Sequence, residues 1–140
     1  MQSIQQIQDQ IIEEFDFFQD WSEKYQYLID LGKNLPEFND SNRVDSNLIK
    51  GCQSKVWLNS SFHNNIVIFE ADSDAIISKG IISLLIRVFS GHTPDEIIAA
   101  NLNFIEKIGL NSHLSQTRAN GLLSMIKQIK IYALAYKAKN

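Results

Sequence analysis

The apolar run from Ala75 to about Ser90 constrains this fold more than any other segment. It holds Ile76, Ile77, Ile81, Ile82, Leu84, Leu85, Ile86, Val88 and Phe89. These residues cover most sides of a helix, so the run predicts a helix in the centre of the molecule. A central helix needs other elements to cover it. The chain has 140 residues, enough for one domain with such a core and too few for two, so a single domain over 1–140 is expected. The longest apolar stretch, Gly80 to Ile86, is interrupted by Ser83 and falls far short of the ~20 residues that span a bilayer.

The flanking segments are punctuated by start and stop signals. Ser3 and Gln6 form a capping box, followed at helical spacing by Ile4, Ile7, Ile11, Phe15 and Phe18. Asp20 and Glu23 repeat the device before Trp21, Tyr25, Leu28 and Ile29, and Gly32 is expected to end that helix as its C-terminal cap. Leu35-Pro36 breaks the chain, and residues 37–48 read as a polar loop. Short strands are expected around Val56, Trp57 and Leu58 and from Ile66 to Phe69, joined at Asn64-Asn65 as a hairpin. A weak third strand could lie at Leu48 to Lys50. Asp72-Ser73-Asp74 is expected to cap the central helix.

Beyond it, Gly91 stops the helix and Thr93-Pro94-Asp95-Glu96 opens another, carrying Ile97, Ile98, Leu102 and Ile105 as far as Gly109. A last helix starts near Ser115 or Gln116 and runs almost to the end. The expected fold is α+β: two helices, a small antiparallel β-sheet of two to three strands, then three helices packed against it. Trp21 and Trp57 are assigned to the core.

The net charge of -3 conceals an asymmetry: residues 1–74 carry 13 acids and 5 bases, residues 75–140 carry 3 acids and 8 bases. The bases are spread along helices rather than gathered into a dense stripe, which argues against nucleic acid as the partner. Either acidic and basic helices lie beside one another, or a polarised surface steers a protein partner. No basic segment followed by an apolar one marks the N-terminus, so no secretory signal is read and the cytoplasm is expected. A lone cysteine agrees with a reducing compartment.

That cysteine is Cys52, in Asn47-Leu48-Ile49-Lys50-Gly51-Cys52-Gln53-Ser54-Lys55-Val56-Trp57. His63, His92 and His113 are scattered, so no metal site is read. The six glycines are isolated, which excludes a phosphate-binding glycine loop. The distance from Cys52 to Trp57 and the short chain do not suit a papain-like protease. One thiol makes no internal disulfide. Cys52 is therefore either an inert small hydrophobe or a reactive thiol. Gly51 permits sharp backbone geometry, Lys50 and Lys55 could favour the thiolate, and the loop-to-strand junction presents the residue on a scaffold.

Gly51-Cys52-Gln53-Ser54-x-Val56-Trp57 resembles the hallmark of the SufE and CsdE sulfur-acceptor family. Trp21-x-Glu23-Lys24-Tyr25, Leu35-Pro36-Glu37, Asp72-Ser73-Asp74-Ala75 with Lys79-Gly80, and His113-Leu114-Ser115-x-x-Arg118 with Gly121-Leu122 agree in order and spacing. The resemblance implies a fold like that of the IscU-type scaffolds. It also implies that Cys52 takes persulfide sulfur from a pyridoxal-phosphate cysteine desulfurase (SufS-like or CsdA-like) and passes it to a SufBCD-like iron–sulfur scaffold complex. Such a protein is an accessory sulfur carrier with no cofactor of its own. Lys50, Gly51, Gln53, Arg118, Asp72 and Asp74 become candidates for partner contact. Arg118 could instead pair with Asp74, and the two aspartates could simply cap. Two rival functions stand beside the carrier: a desulfurase activator that acts mainly by binding, and a peroxide-reactive thiol protein.

Overall fold

The structure, a computed structural model, describes residues 2–139; Met1 and Asn140, the ends of the expected domain, lie outside it. Helix α1 (Ile4–Asp16) opens with the reciprocal Ser3–Gln6 capping box, and α2 (Trp21–Lys33) opens where the Asp20 side chain accepts from the Glu23 N–H. Strands β1 (Val56–His63) and β2 (Ile66–Ser73) pair antiparallel, His63 opposite Ile66. Asn64 and Asn65 turn the hairpin with φ of 52° and 63°, left-handed values that asparagine tolerates better than most residues. The remaining helices are α3 (Ile76–Phe89), α4 (Pro94–Ala99), α5 (Phe104–Lys107) and α6 (Gln116–Lys139). The fold is α+β.

Helix α3 is central, as its composition requires. It packs against α2 on one side and against β2 and α6 on others, with Ile82, Leu85, Val88 and Phe89 fully buried. Only its first residue departs from the expected pattern: Ile76 is 61% exposed. Helix α6 lies across the sheet. Tyr132 donates to the Leu58 carbonyl (3.3 Å), and Tyr136 shares a hydrogen bond with Ser60 (2.8 Å) while stacking on Phe62. Gly91, at φ +85°, turns the chain after α3 so that Val67 of β2 donates to His92 (2.9 Å).

Several expectations are corrected by packing. Gly32 does not end α2, which continues to Lys33 with Asn34 as C-cap. A Cβ at Gly32 would lie 2.8 Å from the Gly80 backbone nitrogen, and a Cβ at Gly80 would lie 2.4 Å from the Leu28 carbonyl oxygen. The two glycines are where α2 and α3 touch backbone to backbone. The third strand reduces to a single bridge, Leu48 opposite Trp57, so the sheet has two strands, both longer than expected. Asp72-Ser73-Asp74 does not cap α3: Ala75 holds that position without a side-chain hydrogen bond. The helix expected from Thr93 to Gly109 is two, interrupted at residues 100–103. The cause is Gln8 of α1, buried at 1% exposure. Its Oε1 accepts from the N–H groups of Asn103 (2.9 Å) and Phe104 (3.1 Å), and its Nε2 donates to the Asn101 carbonyl (3.1 Å). A side chain from another helix thus caps α5 and stops α4. Trp21 and Trp57 are half-buried at the margin rather than within the core.

Glu14 joins three helices: it accepts from Arg87 of α3 (2.7 Å to Oε1) and from the Tyr27 hydroxyl of α2. The hydrogen bond from Arg87 holds the Glu14 carboxyl below its ordinary range, and burial with the bond to Glu14 pushes the Tyr27 hydroxyl up to about 12.

Two outcomes follow from these contacts. Alanine at a helical glycine ordinarily gains about 1 kcal/mol, but Gly80→Ala is expected to lose about 1–3 kcal/mol, because the new methyl meets backbone. Urea unfolding of the two proteins gives the sign directly. A lowered carboxyl pKa stabilises the fold above the ordinary carboxylate range and ceases to do so as pH falls through the lowered value. Glu14→Gln should therefore be less stable than the parent at pH 7, and the gap should narrow in acid; a gap independent of pH would contradict the ion-pair origin.

Candidate functional site

Cys52 sits on the loop that leads into β1, and its position is set from three directions. Gly51 adopts φ +95°, a conformation few other residues hold, and a Cβ there would lie 2.3 Å from Ser124 Oγ on α6. Glycine is thus needed both for the turn and for the approach to α6. The Cys52 S–H donates to the Gly121 carbonyl (3.6 Å), and a Cβ at Gly121 would lie 3.5 Å from the sulfur. The loop therefore rests on α6 at two small residues one turn apart.

The flanks of the loop are held by the end of β2. Asp72 accepts from Arg43 (3.0 Å from Nε and 2.9 Å from Nη2) and pairs with Lys79 at 3.3 Å. Burial pushes the Asp72 carboxyl up, but the bonds from Arg43, the Ser73 N–H and Lys79 outweigh it and hold the carboxyl below its ordinary range. Asp74 accepts from the Lys55 N–H (3.0 Å), and the Ser73 hydroxyl donates to the Lys55 carbonyl (2.8 Å). The tripeptide read as a helix cap is a clasp on residues 43 and 55, either side of the cysteine. Arg43 was not among the sequence candidates; a single arginine in a polar loop carries no signal of its partner 29 residues away.

Cys52 forms part of the wall of a cavity of about 210 Å³. Gln53, Ser54 and Arg118 line it with Cys52, so the structure brings together three of the seven sequence candidates: Cys52, Gln53 and Arg118. Gly51 lies behind them against α6. Lys50 is exposed and does not line the cavity, and Asp72 and Asp74 serve the clasp. Arg118 is exposed and makes no ion pair among the described residues; Asp74, its alternative partner, is taken by Lys55. The cavity residues missed from sequence are Ser54, Ser78, Ile81, Ser115, Thr117, Gly121 and Met125. Ser54, Ser115, Gly121 and Met125 were visible as members of matched blocks. Ser78 was visible only as a hydroxyl in the first turn of an otherwise apolar helix.

The electrostatics correct a further expectation. Burial pushes the Cys52 thiol above its ordinary value, and no cation offsets it: Lys50 and Lys55 are both exposed. At rest the sulfur is a protonated, half-buried thiol donating to a carbonyl. None of the cavity-lining residues is a histidine or a carboxylate, so no general base stands beside it. Among the described residues no group of three or more His, Cys, Asp or Glu could hold a metal ion. Trp21 stacks on His113 at 4.0 Å, and His113 Nδ1 donates to the Gly109 carbonyl (2.9 Å), which braces the turn leading to Ser115 and α6.

Alkylation of Cys52 by iodoacetamide should accordingly be slower at pH 7 than that of free cysteine, with its rate rising at a higher pH. A midpoint at or below that of free cysteine would show that some cation reaches the sulfur after all.

The chain is similar to known proteins over most of its length. Residues 9–133 match the SufE family, described as an Fe-S metabolism associated domain. An uncharacterized SufE-like protein of Rhizobium meliloti (strain 1021) is 43% identical over 127 residues, covering 87% of this chain and 91% of the relative. Another from Rhizobium etli is 42% identical over 127 residues, covering 87% and 86%. The solution structure of a hypothetical protein from Thermus thermophilus shares the fold, with a TM-score of 0.75 at 16% identity over 92% of this chain and 94% of that one. The match over most of the chain and the two relatives above 40% identity settle its kinship: it belongs to the SufE family, whose domain is associated with Fe–S metabolism.

Proposed function

We propose that this protein is a cytoplasmic sulfur acceptor that takes a persulfide sulfur from a cysteine desulfurase onto Cys52, stimulating that enzyme, and delivers it to an iron–sulfur scaffold complex. The observation that carries the reading is the cavity of about 210 Å³ beside the thiol, room into which a second sulfur atom can extend. In the transfer the Cys52 thiolate attacks the outer sulfur of the donor persulfide. A new S–S bond forms on Cys52, the donor's S–S bond breaks, and the donor cysteine leaves as a thiolate. No external oxidant or reductant is consumed. The reaction needs no acid–base machinery beyond loss of the Cys52 proton, which suits a site without histidine or carboxylate. Residues 1–140 act as one unit with no cofactor of their own; the pyridoxal phosphate belongs to the desulfurase.

A half-buried, protonated thiol also fits a carrier that stays inert until its partner docks. A peroxide-reactive thiol needs thiolate at rest, and burial of Cys52 opposes that. Docking must free the sulfur from the Gly121 carbonyl and remove its proton, so the surface around Gly51, Gln53 and Arg118 is assigned to the desulfurase.

Intact mass measurement after incubation with a desulfurase, pyridoxal phosphate and cysteine tests the reading. A gain of one sulfur atom is expected, lost on reduction and absent in Cys52→Ser. No gain with an active desulfurase of the same organism removes the carrier role. Full stimulation of the desulfurase by Cys52→Ser would instead assign the protein to activation by binding.

A further inference from the structure

Two helices begin at the Cys52 cavity. Ser78 is the third residue of α3, and Thr117 and Arg118 are the second and third of α6. The first turn of α3 has no side-chain cap, while Ser115 caps α6 by accepting from the Arg118 N–H (3.2 Å). Both helices present their electropositive ends to one small space that no carboxylate lines. Ser78 supplies an independent observation. The residue lines the cavity, it is only 7% exposed, and its hydroxyl is in none of the side-chain hydrogen bonds among the described residues. A serine hydroxyl with no protein partner is free to donate to a group that enters the cavity. Gly121 lines the cavity as well, and its lack of a side chain keeps a methyl from standing 3.5 Å from the Cys52 sulfur.

We propose that the inner part of this cavity is a polar subsite for the terminal sulfur of a Cys52 persulfide, with the Ser78 hydroxyl as the donor that holds it. The proposal rests on the sulfur-acceptor reading and adds a residue to it. The terminal sulfur stands about 2 Å beyond Sγ and carries the negative charge, so it reaches into the space that Sγ only borders. There the hydroxyl of Ser78 and the two helix ends stabilise the anion, which is a poor target for an attacking thiolate. Ser78 is thus a positioning residue that sets how long the loaded carrier keeps its sulfur, and it leaves the unloaded thiol alone.

The test loads Cys52 chemically with sodium polysulfide, so that failure of desulfurase transfer leaves the comparison readable. Loss of the added sulfur to dithiothreitol is followed by intact mass for the parent, Ser78→Ala and Ser78→Thr. Removing one hydrogen bond to a charged group should make the Ser78→Ala persulfide discharge about tenfold faster. Ser78→Thr, which keeps the hydroxyl, should match the parent, and iodoacetamide alkylation of the unloaded thiol should be the same in all three. Equal persulfide lifetimes in the parent and Ser78→Ala overturn the proposal. So does a change in unloaded-thiol reactivity as large as the change in lifetime, which would mark Ser78 as a structural residue.

Discussion

Helices α2 and α3 meet at Gly32 and Gly80, where the absence of two side chains lets backbone lie on backbone. Dispersion falls off steeply with distance, so this approach gathers many contacts at once and leaves no room for a methyl. Everything the site needs from α3 follows from it. The contact holds the helix at the centre, with its far side against β2 and α6 and its first turn under the Cys52 loop. A shift of α3 by the width of one methyl would move Ser78 and Ile81, and with them the floor of the cavity.

Small residues also decide how the reactive loop docks. Gly51 against Ser124 and Gly121 against Cys52 bring the loop onto α6 closely enough for the thiol to reach a backbone carbonyl. The clasp from Asp72, Ser73 and Asp74 then holds the chain on both sides of the cysteine through charge-assisted and backbone hydrogen bonds. Its consequence for chemistry is the reverse of what neighbouring lysines suggest. A charge two or three residues away in sequence stabilises a thiolate only if it lies close in space. Here burial is the larger effect, and the resting thiol keeps its proton.

Much of the local structure was legible in the chain because its causes are local. The Ser3–Gln6 and Thr93–Glu96 capping boxes act over three residues, and the Asn64-Asn65 turn acts over two; all three form as read. The misreadings share the opposite property. Gly32 resembles a helix stop until its partner Gly80, far along the chain, shows it to be a contact point. Asp72-Ser73-Asp74 has the composition of a cap, yet its carboxylates are claimed by Arg43, Lys79 and the Lys55 backbone. The break between α4 and α5 has no breaker in its own residues; Gln8, more than ninety positions earlier, supplies it.

By itself the sequence determined the α+β class, the central helix, the hairpin and the single cysteine in a family-specific block. Periodicity, capping and turn chemistry are properties of neighbouring residues, and a motif is a property of order. The tertiary structure decided which groups face the sulfur. It withdrew Lys50 and Lys55 and turned the paired aspartates into a clasp. It also placed Ser78 and the start of α6 around one cavity. Those outcomes depend on distances between segments far apart in the chain, which are set only when α3 and α6 pack against the sheet.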